Sequence, residues 1–363
     1  MNYDAVLLTS FGGPEGPDEV MPFLERVTAG RGIPRERLEE VSHHYLALGG
    51  ISPINAQNRA LLTAMRTEFE NRGIDLPIYW GNRNSDPYFA DTLTQLHGDG
   101  HRNVLAVVTS AYSSYSGCRQ YRENLAKALA EVDLVGKLKV DKVRHYFDHP
   151  GFVTPFAQGL AQAIDQAVAA NVKPDDVKIF FTTHSIPDSM ADTSGPEGMR
   201  ESHKGGMYVA QHLTTAGLVA EHAKLFTENQ IPSWELVYQS RSGAPTTPWL
   251  DPDIGDAISE AAAQGVKGVI VIPIGFVSDH VEVIWDLDNE AKEIAEEHEL
   301  FFARVATPGI APEFVTAIAE LVEERVINGP KQALSALGPW ADFCAVGCCP
   351  NARADLPTVA QAE

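Results

Sequence analysis

Cations are scarce in this chain. Its 363 residues carry 28 Lys and Arg against 49 Asp and Glu, a formal net charge of −21. Such a surface repels a duplex nucleic acid, which excludes nucleic-acid binding as the main role, and it draws in a metal ion or cationic substrate. Long apolar runs are missing too. No stretch approaches the ~18 apolar residues of a membrane-spanning helix. The opening MNYDAVLLTSFGGP has no basic segment ahead of its apolar run, so no signal peptide is expected and the reading is a cytoplasmic protein. The chain has no HExxH, no Walker loop and no nucleophile elbow, and Gly12-Gly13-Pro14 is not a dinucleotide fingerprint, which weakens hydrolase and nucleotide-binding readings. Cysteine is limited to Cys118, Cys344, Cys348 and Cys349. Structural disulfides are not expected in a reducing compartment, and three thiols within six positions point instead to a metal or cluster site.

What is present is ordinary for a globular chain: 44% hydrophobic and 21% charged residues, long enough for a large core and two lobes. Apolar runs of strand length recur near 5–10, 78–82, 104–110, 139–144, 177–184, 235–239, 269–275 and 302–306. Helical patterns lie between most of them, including 206–215, 220–228 and 283–297. Buried strands alternating with helices predict an α/β protein with parallel sheets. The chain also repeats itself. GDGHRNVLAVVTSAYSSYS (98–116) parallels AQGVKGVIVIPIGFVSDHV (263–281), and AVLLTSFGGP parallels KIFFTTHSIP. Two Rossmann-like doubly wound lobes, 1–150 and 151–330, are expected around a cleft, followed by a Cys-bearing extension over 331–363. Ligands of such sheets sit at the carboxyl ends of strands, where Phe11, Tyr112, His184 and His280 stand.

VKIFFTTHSIPD (177–188) ends a buried strand in His184, and FVSDHVEVIWDLDNE (276–290) places His280, Glu282, Asp286 and Glu290 at a strand-to-helix transition. The three acids are spaced i, i+4, i+8 and line one helix face. They read either as a solvated face or as a row conducting a hard cation or protons, since close carboxylates raise one another's pKa. An imidazole from one segment and a carboxylate from another make a metal-contacting or proton-transferring pair. FCAVGCCPN (343–351) lacks the paired spacing of zinc sites. Joined by Cys118 it would make a tetrathiolate able to hold a [2Fe–2S] cluster and pin the extension to the first lobe; four unrelated thiols are the alternative. HHYLALGGISPINAQ (43–57) offers Tyr45, Ser52 and a helix start to a carboxylate, or is an ordinary turn. In the Pro-rich loop 238–253, Trp249 floors a flat ligand site or plugs the core.

In order and spacing, LLTSFGGP, LGGISP, FFTTHSIP, YQSRSGAPTTPWL and PIGFVSDHVEVIWDLDNE resemble the ferrochelatase family, enzymes that insert ferrous iron into a porphyrin, over nearly the whole chain. The resemblance implies that His184, Glu282 and His280 are catalytic, with His184 and Glu282 meeting the substrate Fe2+. Asp286 and Glu290 would form a metal or proton path. Ser52 and Tyr121 would bind propionates, with Tyr45, Phe11 and Trp249 as further porphyrin contacts. It also implies a [2Fe–2S] cluster on Cys118, Cys344, Cys348 and Cys349, although the vicinal pair is tighter than the usual spacing. Phe11 stands where some members have a tyrosine and cannot ligate iron. Thr28 and His44 take the places of propionate-binding arginines, with Arg31 nearby. No apolar N-terminal or lip segment suggests membrane docking, which favours the four-carboxylate coproporphyrin III as substrate and coproheme as product in haem b biosynthesis. Protoporphyrin IX, or a non-catalytic haem carrier, is the alternative. A monomer with transient handover to the next haem-pathway enzyme is expected.

Overall fold

The computed structural model describes residues 2–30, 32–243 and 246–362; Arg31, and Ala244 and Pro245 of the 238–253 loop, lie outside the described residues. Eight strands form: β1 (Ala5–Ser10), β2 (Ile78–Asn82), β3 (Asn103–Val108), β4 (Lys139–Lys142), β5 (Val177–His184), β6 (Ser233–Gln239), β7 (Gly268–Ile272) and β8 (Phe301–Arg304). They build two four-stranded sheets, β2-β1-β3-β4 and β6-β5-β7-β8, with every pairing parallel. The order is the same in both. β1 therefore corresponds to β5 and β3 to β7, which is the correspondence the sequence repeats announced.

Side-chain alternation along each strand sorts the core into layers. Leu7 and Ala106 face one way, onto Leu93 of helix Phe89–Gly98 and Leu125 of helix Gln120–Glu131. Val6, Leu8, Leu105 and Val107 face the other, into a cluster that also holds Ile179, Phe181, Ile270 and Ile272 of the second sheet. The far face of the second sheet, Phe180, Val269 and Val271, is covered by Ile258, Val283 and Leu287. One apolar layer thus lies between the two sheets. It is filled by helices Ile54–Arg72, Pro150–Ala169, Gly206–Ala223 and Pro312–Val326. A Cβ on Gly151 would sit 2.2 Å from the Glu313 carbonyl oxygen, so the helices meeting there pack backbone to backbone.

Three sequence expectations change. The segments 206–215 and 220–228 are one helix, Gly206–Ala223, because Gly217 at its middle is tolerated in a helix whose face is buried. Helix Phe89–Gly98, absent from the sequence reading, packs Phe89, Leu93 and Leu96 into the first sheet. The acidic segment is not one α-helix. It runs Val281–Val283, then a π-helix over Ile284–Ala291, then Lys292–Glu297.

Candidate active site

His184 ends β5, the strand flanked by β6 and β7. Its Nδ1 faces the Ser185 carbonyl, which fixes the tautomer and leaves Nε2 as the lone pair directed outward. Nε2 lies 3.7 Å from Glu282 Oε2. At metal bonds of about 2 Å, one cation between these atoms can contact both. The His184 backbone is braced from behind: Tyr208 Oη donates to its carbonyl at 2.8 Å and lies 2.9 Å from Thr183 Oγ1. His280 caps the turn into the acidic segment, with its carbonyl accepting from Ile284 N–H at 3.1 Å. Burial pushes its imidazole down, Glu282 opposes that, and His184 adds to it.

The acidic row is more structured than a solvated face. Val283 and Leu287 are fully buried on the other side. Glu282 is 43% exposed at its side chain, and Glu290 is exposed. Between them, Asp286 accepts from Gln239 Nε2 at 3.2 Å and from Ser240 Oγ. Gln239 is itself fixed by Thr182 Oγ1, which donates to its Oε1 at 3.0 Å. Burial first, then the charges of Glu282 and Glu290, push the Asp286 carboxyl up to about 7. Backbone hydrogen bonds in a π-helix run to the fifth residue; separately, the Trp285 side chain donates from Nε1 to Glu290 Oε1 at 2.8 Å. The indole stacks on His44 at 4.3 Å between centroids.

A raised carboxyl holds a proton in the folded state that the unfolded chain has released. Its stabilisation is full below the ordinary carboxylate range and is lost as pH rises through about 7. Wild-type Tm, measured relative to Asp286→Asn, is therefore expected to fall by roughly 3–6 °C between pH 4.5 and pH 8. A pH-independent difference would remove the buried-carboxyl assignment.

The expected porphyrin contacts fall into separate places. Arg83 brings two of them together, with its guanidinium 5.3 Å from the Phe11 ring and 4.7 Å from the Tyr121 ring. Tyr121 is 4% and Ser52 3% exposed, so a carboxylate reaches either only by displacing what covers it. Ser52 donates its N–H to the Pro14 carbonyl at 2.8 Å, and a Cβ on Gly13 would lie 2.6 Å from Ser52 Cβ. Glycine is what lets the 12–14 loop lie on that segment. Tyr45 is buried in the cluster of Phe23 and Val281, close enough to the acids to feel their charge. Burial, then Glu282 and Asp286, push its phenol well above the usual range, so it stays protonated. Trp249 packs on Gly243 beside the Pro187 strand bridge, and its buried Nε1 has no hydrogen-bond partner among the described residues. Thr28 Oγ1 donates to the Leu24 carbonyl at 2.7 Å and so closes a helix end. Leu46, Leu48 and Ile51 are 46%, 37% and 52% exposed around the Gly49–Gly50 turn.

The four cysteines converge. All are buried, free and in one cluster. Cys118, on the π-turn Tyr115–Arg119, has its Sγ 3.7 Å from that of Cys344; Cys348 and Cys349 are 3.8 Å apart. An edge of about 3.8 Å is what a tetrahedron with ~2.3 Å metal–sulfur bonds requires. Gly195 N–H donates to Cys349 Sγ at 3.1 Å. Hydrogen bonds from Cys118 and Cys348 hold the Cys344 thiol well below its usual range. The buried Lys142 and Arg122 add positive charge near it. His145, missed in the sequence, places a ring nitrogen within 4.8 Å of the Cys118 and Cys344 sulfurs, close enough to share one ion with them, and burial pushes it down to about 3, so the ring is neutral. The donor set suits a thiophilic metal or an iron–sulfur cluster.

A sequence profile described as Ferrochelatase matches residues 3–326. The chain belongs to the ferrochelatase family. It is a metal-inserting enzyme, and the family's defining span contains both sheets and the His184–Glu282 pair. Relatives named coproporphyrin III ferrochelatase are 53% identical in Leifsonia xyli subsp. xyli, covering 97% of this chain and 92% of that one. In Streptomyces coelicolor the identity is 55%, covering 99% and 96%. SirB from Bacillus subtilis with Fe3+ shares the fold, with a TM-score of 0.51 at 9% identity, covering 90% of this chain and 97% of that one. Among the described residues no helix is long and apolar enough to cross a membrane.

Proposed function

We propose that this chain inserts Fe2+ into coproporphyrin III to give Fe-coproporphyrin III, coproheme, for haem b synthesis in the cytoplasm. The relatives of that name, above 50% identity over nearly the full chain, carry this reading. The halves 1–150 and 151–330 act as the two lobes of the cleft, and 331–363 as the extension. The porphyrin holds two pyrrole N–H protons, and both leave as one Fe2+ enters, which balances charge. His184 Nε2, 3.7 Å from Glu282, accepts a proton or makes the first contact with the incoming ion, and Glu282 and His280 complete the catalytic group. Asp286, whose carboxyl lies at about 7, exchanges protons near neutrality, where general acid–base transfer is most efficient. It passes them toward Glu290. Ser52, Tyr121, Phe11, Tyr45 and Trp249 are the proposed porphyrin contacts.

Cys118, Cys344, Cys348 and Cys349 hold a [2Fe–2S] cluster in this reading, supported by the buried set of thiols. When bound, the cluster ties the extension to the body; the insertion moves no electrons. The chain works as a monomer and hands its product to the next enzyme. Anaerobic incubation with Fe2+ and either coproporphyrin III or protoporphyrin IX, followed through the porphyrin absorption bands, tests the substrate. Metallation of coproporphyrin at least ~10-fold faster is expected. The reverse preference replaces the substrate, and tight binding without metallation of either points to a carrier.

A further inference from the structure

Behind the acidic row lies a guanidinium that neither the motifs nor the proposed mechanism uses. Arg304 ends β8, and its side chain is 15% exposed. It makes two forks at once. Nη1 and Nη2 donate to the two carboxylate oxygens of Asp279 at 3.1 and 3.3 Å. Nε and Nη2 donate to those of Asp288 at 2.5 and 2.8 Å. Thr307 Oγ1 adds a bond to Asp279 Oδ1 at 3.2 Å.

The two carboxylates occupy telling positions. Asp279 directly precedes His280 in the turn that leads to Glu282. Asp288 sits inside the π-helix Ile284–Ala291, two residues from Asp286. The Asp279 N–H donates across to Gln57 Oε1 at 2.9 Å, on helix Ile54–Arg72 of the first half. One planar fork therefore holds three segments together: the end of β8, the turn that aims His280 and Glu282, and the π-turn that aims Asp286. Bidentate guanidinium–carboxylate pairs fix orientation as well as distance, and a lysine cannot reproduce them. Without the cation, two carboxylates would face each other across the same gap and push the turn and the π-helix apart.

We propose that Arg304 is a positioning residue for metal insertion: through Asp279 and Asp288 it sets His280 and Glu282 against His184. The inference rests on the metal-insertion reading of the site. Being remote from the cleft contacts, Arg304 should govern turnover and leave porphyrin affinity alone, since a misplacement of about 1 Å at a reacting group can cost ~10²-fold.

The experiment compares wild type, Arg304→Met, Arg304→Lys, His280→Ala and the Arg304→Met/His280→Ala double variant. Each is assayed for Fe2+ insertion and for porphyrin binding by fluorescence quenching. Arg304→Met is expected to lose about 10²-fold in kcat with porphyrin Kd within about threefold, and Arg304→Lys to recover only part of the loss. In the double variant the Arg304 effect should shrink to the part exerted through Glu282, because its route through His280 is already cut. Full multiplication of the two losses would assign Arg304 a general structural role and overturn the proposal. So would an Arg304→Met enzyme keeping more than half of kcat. Should Arg304→Met fail to fold, Asp288→Asn, which removes one fork at a partly exposed carboxylate, gives the same comparison. Inactive wild type with both porphyrins would overturn the insertion reading itself, a result separable from any outcome at Arg304.

Discussion

Replacing His184 by alanine is expected to lower iron insertion by roughly 10³-fold or more while the porphyrin still binds. The side chain places an imidazole nitrogen 3.7 Å from Glu282. Its removal takes away one half of the His184–Glu282 pair. The scaffold should survive. His184 is at a strand end with its side chain 33% exposed, and the bonds that brace β5 there run through its backbone carbonyl to Tyr208. Both alanine and histidine keep that carbonyl. The measurement pairs anaerobic steady-state metallation with a porphyrin fluorescence titration. Retention of a tenth of wild-type kcat would transfer the role to another group, and a parallel loss of affinity would make His184 a binding residue.

A comparable loss, read by eye, is expected for Cys344→Ser. Cys344 stands between Cys118 at 3.7 Å and the Cys348–Cys349 pair, and hydrogen bonds from two neighbours favour its thiolate. It is the thiol that connects the body's donor to the others. Serine should strip the visible iron–sulfur absorbance from aerobically purified protein and lower iron and sulfide content to near zero. Metal removal should also loosen the tail, since a ligand set that exists only in the folded chain contributes its binding energy to folding. Protease would then cut first within 331–362, although Arg122 still donates to the Val359 carbonyl at 2.8 Å. Unchanged absorbance in the variant, or colourless wild type, would dispose of the cluster assignment.

Much of this molecule was legible before any coordinates. All eight strands were located because parallel strands buried on both faces read as unbroken apolar runs, and the internal repeat foretold that the two sheets share one strand order. His184, Glu282, Asp286 and the four thiols stood out because their chemistry clusters in sequence or at strand ends. The residues that hold them did not. Gln239 and Ser240 look like the start of a polar loop, yet they fix Asp286. Arg304 ends a short strand with no motif around it, and its partners are 16 and 25 residues away. His145 meets Cys118 and Cys344 only through the fold. Such partners are set by tertiary register, which local pattern does not encode. The π-helix was hidden for a related reason: its acids keep a spacing that suits an α-helix equally well, and only the backbone hydrogen bonding over Ile284–Ala291 separates the two.

The apolar layer shared by both sheets bears on how a rigid, flat molecule gets in and out. Its members run from Tyr3 through Phe152 and Ile179 to Trp340 in one continuous cluster, so a hinge between the halves would have to tear close-packed side chains apart. Large swings are therefore closed to this protein. Outside that layer lies the small satellite cluster of Val20, Phe23, Leu24, Leu38 and Tyr45, which meets the second half at Val281 and beside which His44 stacks on Trp285. The pair of helices Pro17–Val27 and Arg35–Ala47 packs outside that shared layer, so a flat ring is accommodated by adjusting this small contact rather than by parting the halves.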